Sequence, residues 1–559
     1  MGKPIYVLGL SYSHDSSACL LKDGLVVAAI QRERLTRKKH DGSILNINLD
    51  ECIRYCLEKE NIALGDLDLV VENSPTVLYC KEKDSILGFS RPRMLDGMDQ
   101  KKIFQISHHL AHAYCAYGLS GFDECAAMVI DGQGNYKEDV TEDLERAVVF
   151  PKDCEPSYIE RESFYEFKKG KFKVARKNFG TIHKSFVRIC GLGHLYETVA
   201  AYLFLSRFDA GKVMGLAPYG GKLLPFNMIS LRDNSEIIYH NEWVKEFRNP
   251  NRYKTALEEN WREYADLAMK VQADLEIGMM ALTKWFRQNT SSRNLCYSGG
   301  VALNCSGNRR ILMEGGFDNF FVAPPASDCG ISIGCAYYGY FNVLGEWRSG
   351  VKHEYLDYAG KEYPKNQIME ALSKYGDRIS FSCHENIAVQ AAELMANGKI
   401  VAWFQGGSEF GPRALGNRSI VGDPRNPQML SKMNQIKKRE AFRPLAPSVL
   451  GEMAGEYFDI NYSPYMLLNA RVKEDKKKAI PAVTHVDGTA RIQTVNQKQN
   501  KRYYSLINEF YKITKVPVII DTSFNIDGPI AETPEDALEC FVNSEIDYLC
   551  IGDFIVTRR

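Results

Sequence analysis

At 559 residues the chain is longer than one ordinary hydrophobic core organises, which predicts two or three domains. Its 45% hydrophobic and 25% charged residues describe a globular protein and exclude a membrane-embedded one. The 70 basic and 70 acidic side chains cancel, so bulk electrostatics make no case for nucleic acid or an anionic membrane as partner.

The first apolar run, residues 5–10, reads as a strand and not as a secretory signal. The longest apolar stretch, around residues 330–344, is broken by Gly, Asn and Tyr and predicts no membrane span. Fifteen cysteines without any C-x-x-C pair read as reduced thiols, with no zinc finger. A cytoplasmic protein is expected.

Along the chain, strands at 5–10, 18–21 and 25–30 are joined by a polar loop and an Asp23-Gly24 turn, a meander. A helix opens at His108, and an apolar strand over 125–131 ends in Asp131. Gly193 begins a helix and puts Glu197 on its first turn, whereas residues 211–220 read as a Gly-rich turn carrying Lys212. Leu267, Val271, Leu275, Leu282 and Trp285 mark a long amphipathic helix. It leads into a strand at 294–297 and a turn at Ser298-Gly299-Gly300. Residues 135–184 and 220–263 are charged and aromatic and read as excursions from the core, the usual place for substrate-specific surface. A domain boundary is expected at 352/353. Beyond it, strands at 401–404 and 516–520 flank a basic stretch. No internal repeat is visible, and the mixture of hairpins and helix-linked strands predicts an α/β fold.

Three constellations carry chemistry. His108 and His112, four residues apart on a helix, share one face and can bind one ion; a capped or core His pair is the alternative. With Asp131 and Asp328 they make a two-imidazole, two-carboxylate set suited to Fe(II), Mn(II) or Zn(II). The Gly299-Gly300 turn in the segment that runs to Asn304 ahead of a helix, together with Gly193, Glu197 and Lys212, suits a nucleotide phosphate. In the second half, Arg413, Arg443 and Arg491 sit among small and Pro residues rather than on a solvated helix face. That pattern fits an anion cradle, with Lys437, Ser523 and Asn525 close in sequence to it. Lys438, Arg418 and Arg439 are as well explained by surface ion pairs.

Taken together, His14-Asp15-Ser16-Ser17-Ala18, His108-His109-Leu110-Ala111-His112, Asp131-Gly132-Gln133-Gly134, residues 211–220, 298–304, 411–419, 442–449 and Thr522-Ser523-Phe524-Asn525 follow the order found in the NodU/CmcH carbamoyltransferase family. The resemblance covers nearly the whole chain. It implies an N-terminal actin/hexokinase-like (ASKHA) ATPase-type domain over 1–352 and a C-terminal YrdC-like α/β domain over 353–559. It further implies an ATP-dependent O-carbamoyltransferase. ATP, with Mg2+, and carbamoyl phosphate would give carbamoyladenylate on Arg413, Lys437, Arg443, Arg491, Ser523 and Asn525. The carbamoyl group would then pass to a hydroxyl of a small-molecule acceptor beside an iron(II)-like ion on His108, His112, Asp131 and Asp328. Gly193, Glu197, Lys212, Gly299, Gly300 and Asn304 would border the nucleotide there, and His14 would deprotonate the acceptor or orient the intermediate.

Two departures stand out. Asp521 replaces the family's usual Asn and adds a negative charge near the proposed phosphate site. Gly406-Gly407-Ser408-Glu409 replaces the usual Gly-Arg-Met-Glu and removes an Arg. Related readings are carbamoyl transfer in tRNA modification or in hydrogenase maturation; balanced charge and missing zinc fingers speak against them. A metal- and nucleotide-binding regulator is the non-enzymatic reading. Acceptor, metal and homodimer formation stay open at this point.

Overall fold

The computed structural model describes residues 3–41, 48–73, 79–80, 85–86, 91–144, 148–149, 158–181, 189–247, 253–347 and 358–559. Two compact units emerge: Met1–Arg32 with His40–His353, and Glu33–Lys39 with Glu354–Arg559. The expected break at 352/353 lies outside the described residues. The second unit also takes in Glu33–Lys39, a segment that the sequence groups with the first domain.

The first unit repeats one strand topology. In its first sheet β1 (Tyr6–Ser11), β2 (Ser17–Lys22) and β3 (Leu25–Gln31) form an antiparallel meander, and β4 (Leu69–Asn73) and β5 (Ile103–Ile106) add in parallel beside β1. The spatial order is β3-β2-β1-β4-β5. The Asp23-Gly24 turn has positive φ at both positions, 51° and 83°, as a tight hairpin of this twist requires.

The second sheet repeats the order with β6 (Glu124–Ile130), β7 (Tyr158–Lys168), β8 (Lys171–Thr181), β9 (Asn294–Ser298) and β10 (Asn319–Val322). Here β6, β7 and β8 are the antiparallel meander, and β9 and β10 add in parallel beside β6. Helix α1 (His108–Ser120) follows the first sheet, α2 (Leu192–Phe204) and α3 (Tyr253–Gln288) precede β9, and α4 (Ile331–Tyr338) follows the second. This duplicated arrangement is the actin/hexokinase-like fold. The repeat is invisible in the residues because topology, not sequence, is duplicated.

Residues 158–181 are therefore core strands and not an excursion. Phe164, Tyr165 and Phe167 are buried, and Lys177 on β8 pairs with Glu160 on β7 inside the sheet. Residues 211–220 are also not a turn: 210–216 is helical and 217–219 a 3-10 turn. Because α2 starts at Leu192, Glu197 lies on its second turn rather than its first.

The second unit is built on an eight-stranded mixed sheet. Its strands are β11 (Ile379–Cys383), β12 (Val401–Phe404), β13 (Arg418–Gly422), β14 (Ala446–Leu450), β15 (Gln493–Val495), β16 (Val518–Ser523), β17 (Tyr548–Ile551) and β18 (Phe554–Arg558). They lie in the order β11-β18-β17-β12-β13-β16-β14-β15. Helices α5 (Ile387–Ala396) and α7 (Lys501–Thr514) cover one face and bury Val401, Trp403, Val421 and Ile519 against Met395, Leu506 and Phe510. Helix α6 (Gln428–Ile436) leads into Lys437. Among the described residues no helix is long and apolar enough to cross a membrane.

Both sequence departures have a structural explanation. A Cβ on Gly407 would meet the Gly360 carbonyl oxygen and lie 3.0 Å from that of Tyr358, so an Arg does not fit where this backbone packs. Asp521 is buried on β16, where Tyr503 Oη donates to it at 2.6 Å and Ser448 Oγ at 3.1 Å. Burial outweighs these hydrogen bonds and pushes its carboxyl up to about 7, with Glu409 adding repulsion.

Since the folded value lies above the unfolded one, 3.8, the stability tied to the bound proton is complete below about pH 4 and lost as pH rises through about 7. Asp521→Asn is expected to leave Tm nearly unchanged near pH 4 and to raise it relative to wild type progressively up to pH 8, where the stabilisation is on the order of a few kcal/mol. Thermal melts across that range check this; parallel Tm profiles contradict it.

Candidate functional site

Helix α1 is buried on all sides, so its histidines are held by packing and not by a solvent face. His108 and His112 project together, Asp131 follows the end of β6, and Asp328 opens the turn into α4. Their four ligand atoms lie within 4.8 Å of one another and all four residues are buried. His108 Nε2 is 3.2 Å from Asp131 Oδ2 and 3.5 Å from Asp328 Oδ1, and His112 Nε2 is 3.4 Å from Asp328 Oδ1. Ligand atoms bound to one ion at about 2.0–2.2 Å stand roughly 3–3.5 Å apart, so the set fits a divalent cation.

The orientation of His112 agrees with that fit. His112 Nδ1 faces Ser298 Oγ at 3.3 Å, which leaves its buried Nε2 without a hydrogen-bond partner among the described residues. Electrostatics point the same way. Burial opposes charge on His108, Asp131 and Asp328, yet the two carboxylates raise His108 to about 10, while the histidines hold both carboxyls well below their ordinary range. Two buried carboxylates demand positive charge, which a proton supplies on His108 and a cation would supply more compactly.

His14 stands beside this group, with Nδ1 3.3 Å from Asp328 Oδ2 and Nε2 3.6 Å from Asp15 Oδ2. Burial disfavours its charge, but Asp15 and Asp328 raise it to about 9. Asp15 Oδ1 also meets His40 Nδ1 at 2.8 Å, and the Phe208 ring stacks on His40 at 4.6 Å. His40 and Phe208 are absent from the motif reading, because nothing in their spacing ties them to His14.

The remaining first-unit candidates divide. Gly300 N donates to Asp131 Oδ1 at 2.7 Å from the turn that Gly299 makes possible with φ 96°. Gly193 lies against the Asp131 backbone, with space for no side chain. Glu197 faces Gly132, and burial followed by Asp131 raises its carboxyl to about 7. Arg161 holds the Gly132 carbonyl. Asn304 instead caps the helix Cys305–Glu314 through Gly307 N at 2.9 Å and pairs with Gln272. Lys212 pairs with Asp209 at 3.1 Å and packs over Phe204.

In the second unit Lys437, Ser523 and Asn525 meet. Lys437 Nζ donates to Ser523 O at 2.5 Å, Asn525 O at 2.7 Å and Asn525 Oδ1 at 2.9 Å. Burial, then Arg439 and Arg443, pushes its ammonium well below the ordinary value, and Lys39 adds to the repulsion. Arg439 falls to about 9 through burial and then Arg443 and Arg491. Arg439 therefore belongs with the cluster that the sequence assigns to Arg443 and Arg491, and Lys39 reaches it from a remote stretch of chain. Arg413 lies half-buried in the loop whose Gly411 carbonyl accepts from buried Arg34 at 2.9 Å. Arg418 is structural: its guanidinium donates to the Gln405, Gly406 and Glu532 carbonyls and stacks on Phe404 at 3.6 Å.

Comparison with known proteins gives two family matches, "Carbamoyltransferase N-terminus" over residues 6–85 and 77–337 and "Carbamoyltransferase C-terminus" over residues 392–558. The chain is 33% identical to the uncharacterized protein sll1178 of Synechocystis, over 99% of this chain and 97% of that one. It is 32% identical to the nodulation protein NolNO of Sinorhizobium fredii, over 98% and 80%, and 34% identical to NolO of Bradyrhizobium diazoefficiens, over 81% and 79%. Component A of the (R)-2-hydroxyglutaryl-CoA dehydratase of Acidaminococcus fermentans superposes over 60% of this chain and 97% of its own, with 17% identity and a TM-score of 0.34.

Asp328→Asn removes the carboxylate that both α1 histidines face. Divalent-ion affinity, followed by the electron paramagnetic resonance of free Mn2+, is expected to fall by about 100-fold or more. Unchanged affinity would contradict the assignment of the centre.

Proposed function

The chain belongs to the carbamoyltransferase family, and on that premise we propose that it is an ATP-dependent O-carbamoyltransferase with two chemically distinct sites. One observation carries the reading: the first unit gathers two carboxylates and three imidazoles, whereas the second crowds Lys437, Arg439, Arg443 and Arg491 closely enough that they depress one another's charge, with Glu440 3.8 Å from Arg443. The first suits a cation and the second suits phosphates.

In the second unit, Lys437, Arg439, Arg443 and Arg491 balance the phosphates of ATP, with Lys39 adding to the cluster and Arg413 a further candidate contact. Ser523 and Asn525 hold the Lys437 ammonium in place. Carbamoyl phosphate loses its phosphate to water, and the carbamate oxygen attacks the α-phosphorus of ATP. Pyrophosphate leaves, and carbamoyladenylate and inorganic phosphate are the other products. Stabilising the leaving pyrophosphate is the task that a cluster of fixed cations performs best.

The first unit performs the transfer. When bound, a divalent ion on His108, His112, Asp131 and Asp328 supplies Lewis acidity toward the carbamoyl carbonyl or phosphate. Gly300 N–H and the Gly193 and Glu197 region border the nucleotide. His14 lies next to Asp328 and takes the proton of the acceptor hydroxyl as its oxygen bonds to the carbamoyl carbon and AMP leaves. Compensating the Asp328 charge removes one of the two carboxylate attractions that keep His14 protonated. Asp15 then remains to orient the ring. The acceptor is a small hydroxylated molecule of natural-product or sugar type, and Mg2+ accompanies ATP. A cytoplasmic location suits these co-substrates and the buried thiols.

Two measurements test this. Protein supplied with ATP, Mg2+ and carbamoyl phosphate should release pyrophosphate, and mass spectrometry over a panel of sugars and aminoglycosides should find an ATP-dependent carbamoyl gain. His14→Asn should keep pyrophosphate release while lowering transfer about 10²- to 10⁴-fold. Equal loss of both steps would remove His14 from the assigned role, and absent pyrophosphate release would remove the activity.

A further inference from the structure

A buried ionic network beneath α1 has no place in the chemistry above. Lys177 on β8, Glu160 on β7 and Glu142 all have side chains with 0% exposure. Lys177 Nζ lies 2.6 Å from Glu142 Oε1 and bonds Glu160 Oε1 as well. Burial works against the ammonium, but the two carboxylates keep it charged. A buried triad of this kind is expensive, and apolar side chains of equal volume would serve the core at least as well. Its value lies in what its other oxygens hold.

Those oxygens reach both chain segments that deliver the first ion ligands. Glu142 Oε2 accepts from Ser107 Oγ, the residue before α1, and Ser107 N donates to Thr141 Oγ1 at 3.1 Å. Glu142 Oε1 accepts from Tyr165 Oη at 2.8 Å. Glu160 Oε2 accepts from Asn135 N at 2.9 Å, and Asn135 Oδ1 accepts from His108 N at 2.5 Å. The backbone repeats the link, with Gly134 N on Glu160 O at 3.1 Å and Glu160 N on Asn135 O at 2.9 Å. His108 and the loop after Asp131 thus end on one ammonium.

We propose that Lys177, through Glu142 and Glu160, is a positioning residue that sets the spacing of His108 and Asp131 and so the affinity of the centre for a divalent ion. The inference rests on the reading of that centre as an ion site. Lys177 touches none of the four ligands itself. It acts because two carboxylates pulled onto one ammonium have a single arrangement, whereas without it they repel and release the loop.

The test is Mn2+ titration of the full-length protein, read from the resonance of free and bound ion at a temperature well below the melt. Wild type should bind one Mn2+ at the centre. Lys177→Met should bind it about 10- to 100-fold more weakly, with a broadened bound-ion spectrum, and Ser107→Ala, which keeps all three charges, should shift in the same direction by a smaller factor. Ser107→Ala carries the test should Lys177→Met fail to fold. A merely structural network would lower Tm in both variants and leave Mn2+ affinity and spectrum at wild-type values; that result overturns the proposal. No Mn2+ binding by wild type would overturn the ion centre itself, and this inference with it.

Discussion

Asp131 and Asp328 sit buried within reach of the same two imidazoles, and that crowding of like charge is the constraint around which the first unit is arranged. Two carboxylates out of water are tolerable only where positive charge is built in or bound. Helix α1 brings two histidines on adjacent turns, the end of β6 brings one carboxylate, and the turn before α4 brings the other. The duplicated sheets make this convergence possible, since α1 and α4 occupy equivalent places after the two repeats. Gly300 N–H and His14 then meet the outward-facing oxygens.

The second unit has the opposite imbalance. Lys437 is buried against neutral oxygens, and Arg439 is surrounded by further guanidiniums. Such a cluster is stabilised by an anion of several charges, as the polyphosphate of a nucleotide is. One polypeptide therefore contains a carboxylate–imidazole site and a site crowded with cations. Activation of a carbamoyl group and its transfer need those two environments, the first to balance leaving phosphates and the second to polarise an acyl centre.

What was legible in the sequence follows from locality. His108 and His112 announce themselves because four residues on a helix mean one face, and the β1–β3 meander follows from alternation around Asp23-Gly24. Asp131 at the end of an apolar strand and Asp328 before a Gly-rich helix start are weaker local marks, since neither spacing ties them to the histidines. Residues 158–181 were misread because Lys177, Glu160 and Glu162 look solvated when counted singly, and only pairing across strands makes them core. Residues 211–220 contain three glycines and a proline, turn formers by propensity, yet tertiary packing makes most of them helical. The contribution of Glu33–Lys39 to the second unit could not be read at all, because a short basic segment carries no mark of the distant loops it bonds. Lys177 and Lys39 escaped attention for the same reason: their partners are remote in sequence.

The most direct test of two-site carbamoyl transfer is the fate of ATP when 13C-labelled carbamoyl phosphate is supplied without acceptor and the mixture is quenched within one turnover. The account predicts labelled carbamoyladenylate together with pyrophosphate, and AMP once an acceptor is added. ADP as the nucleotide product, with no labelled adenylate, would contradict it.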